Sequence, residues 1–235
     1  MDDLEQIRKF FKGQFLAPPA AILEKLHGVK AFVFDWDGVF NNGAKDNGGS
    51  SPFNEVDAMG TNLLRFNHYL RNKSVPVTAI ISGEMNKAAF SLAKREHFEA
   101  VYYNIKHKKE ALDHLCSFKN ILPSEVAYFF DDVLDLAIAE HCGLRIMMHR
   151  ASNPLLLNLV QEKNMADYIT AADGGNNGLR ESAELLMGLT GSYDDTIMQR
   201  VHNSEHYRQY IVIRNTPESI FYTTVNSKIE VQLPK

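Results

Sequence analysis

The chain has 235 residues, of which 45% are hydrophobic and 23% charged, and its formal net charge is −4. These values are typical of a soluble globule with one main core, and they exclude a collagen, a disordered chain and a disulfide-stapled scaffold. The acidic balance without a basic run argues against a nucleic-acid partner. No run of about 18 apolar residues occurs and no signal-peptide pattern opens the sequence, so we expect no membrane partner.

Two cysteines, Cys116 and Cys142, are the only ones in the chain, and they are not in a Cys-x-x-Cys pair. They are predicted to be reduced thiols, which suits a cytoplasmic location. Residues 1–28 precede the main pattern and read as one or two helices broken at Ala17-Pro18-Pro19. We interpret them as an N-terminal helical arm for packing or assembly, because they carry no candidate chemistry.

Short apolar runs alternate with helical patterns across residues 29–190. The runs begin at Ala31, Val77, Ala100, Val126, Leu144 and Asp167, and the predicted helices cover residues 58–71, 85–96, 108–119, 133–141, 154–163 and 179–189. Helices of this length connect parallel strands. The pattern therefore predicts an α/β fold: a three-layer, Rossmann-like core whose parallel sheet is covered on both faces.

Two stretches depart from this alternation. Residues 41–54 are rich in Gly, Asn and Ser, which predicts a hairpin or flap directly after the first strand. From residue 191 to residue 235 the pattern changes to a helix followed by the segments QYIVIRN, SIFYTTV and SKIEVQL. We expect this C-terminal extension to add a helix and a small antiparallel β structure.

Polar residues of one kind follow four of the predicted strands. They are Asp35, Asp37 and Gly38 after the first strand, Ser82 and Gly83 after the second, Lys106 and Lys108 after the third, and Asp131, Asp132 and Asp135 after the fourth. Ligands of parallel α/β sheets bind beyond the carboxyl ends of the strands. The four groups therefore predict one site that holds carboxylates, a hydroxyl and an ammonium group.

Phosphoryl transfer requires each of these residue types. Converging carboxylates repel one another unless a hard cation lies among them, which points to Mg²⁺. Asp35 is the candidate nucleophile that forms an aspartyl-phosphate, and Asp37, on the same side of the chain, is the candidate general acid and base. Ser82 would donate to a phosphoryl oxygen, and a lysine would neutralise the developing charge.

The order and spacing of these motifs resemble the haloacid dehalogenase superfamily over residues 29–190, and within it the 3-deoxy-D-manno-octulosonate 8-phosphate phosphatases. The segments that carry the resemblance are FDWDGVFNNG (34–43), FNEVDAMG (53–60), AIISGE (79–84), NIKHK (104–108), YFFDDVLD (128–135) and ADGGNNGLRE (172–181). The resemblance implies a metal-dependent phosphatase of a small sugar-like phosphate ester. Spacing leaves no room for a cap domain, either between Asp37 and Ser82 or between Lys108 and Asp131.

The resemblance also assigns roles. It makes Asp35 the nucleophile, Asp37 the acid and base that also binds the metal through its carbonyl, Ser82 the phosphate-binding hydroxyl and Lys108 the motif lysine. It implies a metal site of Asp35, Asp37, Asp131 and Asp132, a phosphate site that includes Gly38 and Gly83, and a homotetramer whose neighbouring subunits cover each site. Arg180, near Gly174 and Gly175, is a candidate to hold a substrate carboxylate.

Four departures from the family pattern, at five positions, are present: Asn41-Asn42 replace Thr-Asp, Glu84 replaces Arg, Asn104 replaces Gly and Phe130 replaces Gly. They leave open a second hypothesis, a catalytically weak or inactive oligomeric binding or scaffold protein with the same fold. A receiver-type signalling switch uses similar groups, but it has no acid/base Asp two residues beyond the phosphorylated Asp, whereas Asp37 is present here.

Overall fold

The structure is a computed structural model that describes residues 2–234. Over these residues the chain forms helices α1 Asp2–Phe10, α2 Pro19–His27, α3 Glu55–Asn72, α4 Lys87–Glu96, α5 Lys108–Lys119, α6 Leu136–Ala139, α7 Pro154–Glu162, α8 Gly178–Leu189, α9 Tyr193–Val201 and α10 Glu205–Arg214. Its strands are β1 Gln14–Phe15, β2 Ala31–Phe34, β3 Val77–Ile81, β4 Ala100–Tyr102, β5 Val126–Phe130, β6 Leu144–His149, β7 Tyr168–Asp173, β8 Ile220–Val225 and β9 Lys228–Val231.

All nine strands form one sheet in the order β1-β7-β6-β5-β2-β3-β4-β8-β9. The seven strands from β7 to β8 are parallel, and β1 and β9 add an antiparallel strand at either edge. Strand β2 lies between β5 and β3, so the residues that follow these three strands meet at the middle of the carboxyl edge. This arrangement fixes where a ligand can bind.

Alternation along β2 explains the three layers. Phe32 and Phe34 face one apolar core, which is completed by α2, α3, α4 and α8, whereas Ala31 and Val33 face a second core completed by α5, α6 and α7. Successive residues of a strand point to opposite faces, and a sheet covered on both faces has apolar residues at both sets of positions. The predicted α/β class and the Rossmann-like parallel core are confirmed.

Capping explains where the longest helix begins. Asn54 precedes α3, and its side-chain oxygen accepts a hydrogen bond of 2.7 Å from the backbone N–H of Asp57. Asx side chains satisfy N–H groups that have no partner inside the helix, so α3 begins three residues before the predicted start. The preceding residues 41–54 form neither helix nor strand, so the predicted flap is an irregular loop and not a hairpin.

The prediction of a strand for the segment QYIVIRN is wrong, because this segment forms the second half of α10. Ser204 caps this helix by accepting a hydrogen bond from the N–H of Tyr207, and Tyr207, Tyr210 and Arg214 are its buried residues. Their spacing follows one helical face, and the aromatic rings pack against α3 through Phe66. Tertiary packing of this face overrides the strand preference of Ile, Val and Tyr.

The rest of the C-terminal extension also differs from the prediction. β8 pairs with β4 in parallel, and only β9 returns antiparallel to β8. At the other end, β1 pairs with β7, which the sequence analysis did not predict. The division into an arm of residues 1–28, a core of 29–190 and an extension of 191–235 stays a prediction, and its outermost residues, Met1 and Lys235, lie outside the described residues.

None of the helices formed by residues 2–234 combines the length and the apolar composition needed to cross a bilayer.

Buried His68 on α3 makes stability depend on pH. Its ring packs edge-on against Phe32, and burial, with a smaller effect of the Arg71 charge, lowers its pKa from 6.5 to about 4. The unfolded chain therefore binds a proton before the folded chain does as the pH falls. Between pH 6.5 and 4, the free energy of unfolding should decrease by up to about 3 kcal/mol through this residue alone.

Urea denaturation of the wild type and of His68→Leu at pH 7, 5.5 and 4.5 tests this. The variant should lose less stability than the wild type on acidification, because leucine has no proton to bind. Equal losses in both proteins would show that His68 is not the group responsible.

Candidate active site

A cavity of about 270 Å³ opens at the carboxyl edge of the sheet, where β2, β3 and β5 end. Its lining includes eight of the residues selected from the sequence: Asp35, Asp37, Ser82, Gly83, Lys108, Asp131, Asp132 and Asp135. They come from three segments that follow β2, β3 and β5, and from the first residue of α5. The structure thus brings the predicted site residues into one place, while their individual roles stay predictions.

Lys108 is the centre of the ion pairs in this cavity. It is the first residue of α5, and its Nζ lies 2.7 Å from Asp35 Oδ1 and 2.6 Å from Asp135 Oδ1. The hydroxyl of Tyr128, on β5, donates a hydrogen bond of 2.5 Å to the same Asp135 oxygen. All four side chains are buried. Lys108 is therefore held beside the candidate nucleophile by a partner that is itself fixed from within the sheet.

Burial and mutual repulsion disfavour the charged forms of these carboxylates. The pKa of Asp35 is raised well above its ordinary value by burial and by the charges of Asp135 and Asp131, against the lowering effect of Lys108. The pKa of Asp131 is raised to about 7 by burial and by Asp135, although Arg150 opposes this. Burial lowers the pKa of Lys108, but Asp35 and Asp135 outweigh that effect and raise it.

Asp131 has a guanidinium partner. Arg150, just after β6, donates from Nη2 to Asp131 Oδ2 at 2.5 Å. Gly38 lies against this pair with φ = +82°, and a Cβ at that position would overlap both the Asp131 carboxylate and the Arg150 guanidinium. Only glycine meets both requirements, a left-handed backbone and no side chain.

The carboxylates offer a site for a divalent cation. Asp35, Asp131 and Asp135 can each present one oxygen such that the three oxygens lie within 4.8 Å of one another. Oxygen donors of this kind fit a hard cation, whose charge would lower the raised pKa values and keep Asp35 ionised. The exposed Asp132 carboxylate instead accepts a hydrogen bond of 2.7 Å from the N–H of Val133, so its predicted place in the metal site stays a prediction.

The loop of residues 41–54 holds the carboxylate of Asp37. Ser51 Oγ donates to Asp37 Oδ1 at 2.6 Å, and Lys45 Nζ donates to Asp37 Oδ2 at 2.9 Å. Ser51 is fully buried, whereas the Asp37 side chain is 25% exposed. Ser51 and Lys45 therefore orient the carboxylate of Asp37, the candidate acid and base, which still lines the cavity.

Ser82 and Gly83 form the wall on the β3 side. Ser82 is buried, its N–H donates to the Tyr102 carbonyl at 2.8 Å, and its Oγ accepts a 3.3 Å hydrogen bond from the N–H of Glu84. This bond leaves the hydroxyl proton free to be donated to a ligand oxygen. Lys108 lines this cavity and Lys106 does not, while the role of Lys108 as the motif lysine stays a prediction.

Three of the four departures from the family pattern have local structural roles. Asn41 Oδ1 accepts from the N–H of Gly43 at 2.8 Å, while its Nδ2 donates to the Trp36 carbonyl, which closes the turn after β2. Asn104 adopts φ = +54°, a conformation that Asn tolerates better than most residues. Phe130 is buried and stacks on Tyr128. Glu84, the fourth, lines the cavity.

Arg180 does not line the cavity. Its side chain pairs with Glu184 at 2.7 Å along α8, and its N–H donates to Asp57 Oδ1 at 2.8 Å. Gly174 and Gly175 pack directly on the backbone of residues 38–42, so this loop supports the turn after β2 in the same chain. The predicted contact of Arg180 with a substrate carboxylate stays a prediction.

Sequence reasoning missed Arg150 and Tyr128. Arg150 follows an apolar run, as the selected residues do, and the same rule applied to the end of β6 would have found it. Tyr128 is an OH-bearing residue within the apolar run VAYFF, and a buried phenol requires a hydrogen-bond partner.

No family model matches the chain. A curated relative, the 3-deoxy-D-manno-octulosonate 8-phosphate phosphatase KdsC of Escherichia coli K12, is 27% identical over 186 residues, which cover 77% of this chain and 92% of the relative. The enzyme of the same name from Yersinia pestis is 26% identical over 170 residues, which cover 71% of this chain and 83% of that enzyme.

Solved structures agree with these relatives. A probable YrbI family phosphatase from Pseudomonas syringae aligns with a TM-score of 0.64 at 28% identity, covering 77% of this chain and 98% of that one. The 3-deoxy-D-manno-octulosonate 8-phosphate phosphatase of Moraxella catarrhalis, solved with magnesium, phosphate and KDO, aligns with a TM-score of 0.63 at 26% identity, covering 76% of this chain and 97% of that one. The resemblance found in the sequence is confirmed.

Two alternative sets of metal ligands can be distinguished by mutation: the cluster of Asp35, Asp131 and Asp135, and the set predicted from the sequence, which includes Asp132. Asp131→Asn should weaken Mg²⁺ binding at least about tenfold, because it alters one of the three clustered carboxylates. The exposed Asp132→Asn is the matched control and should bind nearly as the wild type does. Mg²⁺ titrations followed by calorimetry and by the thermal midpoint measure both affinities. Equal weakening in the two variants would favour the adjacent pair predicted from the sequence.

Proposed function

We propose that this chain, a haloacid dehalogenase superfamily phosphatase close to the 3-deoxy-D-manno-octulosonate 8-phosphate phosphatases, is a Mg²⁺-dependent enzyme that hydrolyses a sugar-acid phosphate through an aspartyl-phosphate on Asp35. The observation that carries the proposal is the buried contact of 2.7 Å between Asp35 and Lys108 in a cavity that also contains Ser82 and Asp37. Such an arrangement supplies a nucleophile, an electrophilic clamp and a proton donor at one point.

Asp35 attacks the phosphorus atom with one carboxylate oxygen, and the bond to the leaving oxygen breaks. Lys108 and the Ser82 hydroxyl would bind the phosphoryl oxygens, since both groups line the same cavity. Charge develops on these oxygens in the transition state, and fixed donors stabilise it without reorganisation. A bound Mg²⁺, held by Asp35, Asp131 and Asp135, would add a Lewis acid that neutralises phosphoryl charge.

Asp37 would protonate the leaving oxygen in the first step and take a proton from water in the second. Its carboxylate is held by Ser51 and Lys45, so it stays oriented between the two steps. Water then attacks the aspartyl-phosphate and releases inorganic phosphate, which restores Asp35. The same residue serves as acid and then as base, as reversibility of the two half-reactions requires.

The substrate class is inferred from the relatives. The curated relatives are 3-deoxy-D-manno-octulosonate 8-phosphate phosphatases, and the crystal structure of one such phosphatase is a complex with KDO. Glu84 lies in the cavity where the family pattern has Arg, so a substrate carboxylate would have to be bound by other residues of this chain.

Asp35→Asn should reduce phosphate release by roughly 10³-fold or more, because an amide cannot form the acyl-phosphate. The assay is Mg²⁺-dependent release of phosphate from 3-deoxy-D-manno-octulosonate 8-phosphate and from a panel of sugar phosphates. Lys109→Met, a change in an exposed lysine beside the motif lysine, is the control and should retain activity. Turnover by Asp35→Asn at the wild-type rate would exclude the nucleophilic role.

Asp37→Asn should slow hydrolysis by about 10²- to 10⁴-fold on a sugar phosphate, whose leaving alkoxide needs a proton. p-Nitrophenyl phosphate has a stable leaving anion, so the first step on this substrate should lose much less rate. Burst kinetics on both esters separate the two steps. Equal losses of the first-step rate would contradict a role of Asp37 as general acid.

A further inference from the structure

A second cavity, of about 330 Å³, lies beside the candidate active site between the end of β4 and the turn that joins β8 to β9. Its lining is polar and includes Asn104, Lys106, His107, Glu110, Asn226 and Ser227. Asn104, Lys106 and His107 come from the turn that leads to Lys108, and Glu110 lies in the first turn of α5. The others belong to the C-terminal extension, beyond the residues on which the family resemblance rests.

Strand pairing explains why the extension reaches this edge. Ala100 pairs with Ile220 and Tyr102 with Tyr222, in parallel. Beyond the last pair, Asn104 and Lys106 on the β4 side and Thr224 and Asn226 on the β8 side all line the cavity. Because β8 is parallel to β4, its turn lies at the carboxyl edge, the edge that also carries Asp35 and Ser82.

The change of chain direction at Asn104 creates the space for the cavity. Its φ of +54° ends β4 and directs the next residue toward β3, where the N–H of Ile105 donates to the Ser82 carbonyl at 3.2 Å. The end of β4 thus turns toward the phosphoryl-binding wall while β8 continues straight. The space between the two diverging segments is the cavity.

The opposite wall is the tight turn between β8 and β9. Asn226 and Ser227 have φ values of +48° and +62°, as a two-residue hairpin turn with two left-handed residues requires. Tyr222 stacks on Tyr102 with ring centroids 4.9 Å apart, and the Tyr103 hydroxyl donates to the Gln232 carbonyl at 3.1 Å. The hairpin is therefore anchored on both strands and presents its turn residues in one position.

The side chains that line this cavity offer both hydrogen-bond donors and acceptors, which suits a ligand with hydroxyl groups. Lys106 donates hydrogen bonds, Glu110 accepts them, and the Asn, Ser and Thr side chains do both, so the formal charges of the lining nearly cancel. A sugar hydroxyl is both a donor and an acceptor. A mixed lining of this kind suits a polyhydroxylated chain better than it suits a second phosphate or an apolar group.

The distance between the two cavities means that only a long ligand could occupy both. Three strand spacings separate β2, which carries Asp35, from β8, and neighbouring strands lie about 4.8 Å apart, so the span is roughly 14 Å. A phosphate ester of two or three carbons cannot reach from one cavity to the other. An extended sugar chain with a terminal phosphate can.

We propose that this second cavity is the leaving-group subsite of the enzyme, where Asn104, Lys106, Asn226 and Ser227 bind the hydroxyl groups at the end of the substrate that lies farthest from the phosphate. The proposal rests on the proposed phosphatase function. It makes the β8–β9 turn a determinant of substrate choice.

The test removes the turn side chains and keeps the turn. In the double variant Asn226→Gly/Ser227→Gly, glycine adopts the two left-handed conformations without strain. For wild type and variant, kcat/KM is measured on 3-deoxy-D-manno-octulosonate 8-phosphate and on p-nitrophenyl phosphate, which has no hydroxyl chain. The ratio of kcat/KM for the sugar phosphate to kcat/KM for p-nitrophenyl phosphate should fall at least tenfold in the double variant. The main cause should be a higher KM for the sugar phosphate.

Asn164→Gly is the matched control, since Asn164 is an exposed Asn with φ = +50° between α7 and β7, and its ratio should equal that of the wild type. Lys106→Met should lower the ratio in the same direction as the double variant does. A wild-type ratio in both subsite variants would overturn the subsite and leave the phosphatase proposal standing. If the wild-type protein hydrolyses neither ester, the proposed function fails, and the subsite fails with it.

Discussion

Repulsion among the buried carboxylates Asp35, Asp131 and Asp135 is the constraint around which the site is organised. An unpaired buried carboxylate costs several kcal/mol, so three that share one cavity require positive charge close by. Lys108 supplies it to Asp35 and Asp135, and Arg150 supplies it to Asp131. A divalent cation within reach of all three oxygens would complete the balance. The same repulsion that destabilises the folded protein therefore creates affinity for a cation.

The sheet topology brings these charges together. Asp35 follows the central strand β2, Asp131 follows its neighbour β5, and Arg150 follows β6, one strand further along the same edge. Every crossover helix returns the chain to the opposite edge, so each parallel strand delivers its next residues to the same rim. The fold needs only short turns to build the site, and glycine at position 38 allows two of these turns to touch.

The core and most of the site were predictable because their signals are local. Apolar runs mark β2, β3, β4 and β5, and the candidate site residues follow each run directly in the sequence. Arg150 also follows an apolar run, but its contact with Asp131 has no local signal, since it depends on the pairing of β5 with β6. The same holds for the two residues of β1, which pair with β7 through long-range contacts.

The segment QYIVIRN shows the limit of residue preference. Isolated, its β-branched and aromatic residues favour a strand, but Tyr207 and Tyr210 meet Phe66 of α3 only if the segment is helical. That contact joins residues far apart in the chain, so it has no local signal. The parallel pairing of β8 is equally non-local, since it depends on a free edge at β4 and not on any pattern within residues 220–225.

The two outer strands of the sheet have a consequence for association between molecules. A bare parallel edge would expose a row of backbone donors and acceptors that another chain could extend. Here one edge ends in β1, which is only two residues long, and the other in β9, a short strand whose Lys228 and Glu230 are exposed. Short or charged edge strands disfavour the addition of a strand from another molecule. Copies of this protein that associate in solution would therefore do so through helix and loop surfaces. The sheet would not continue from one molecule into the next.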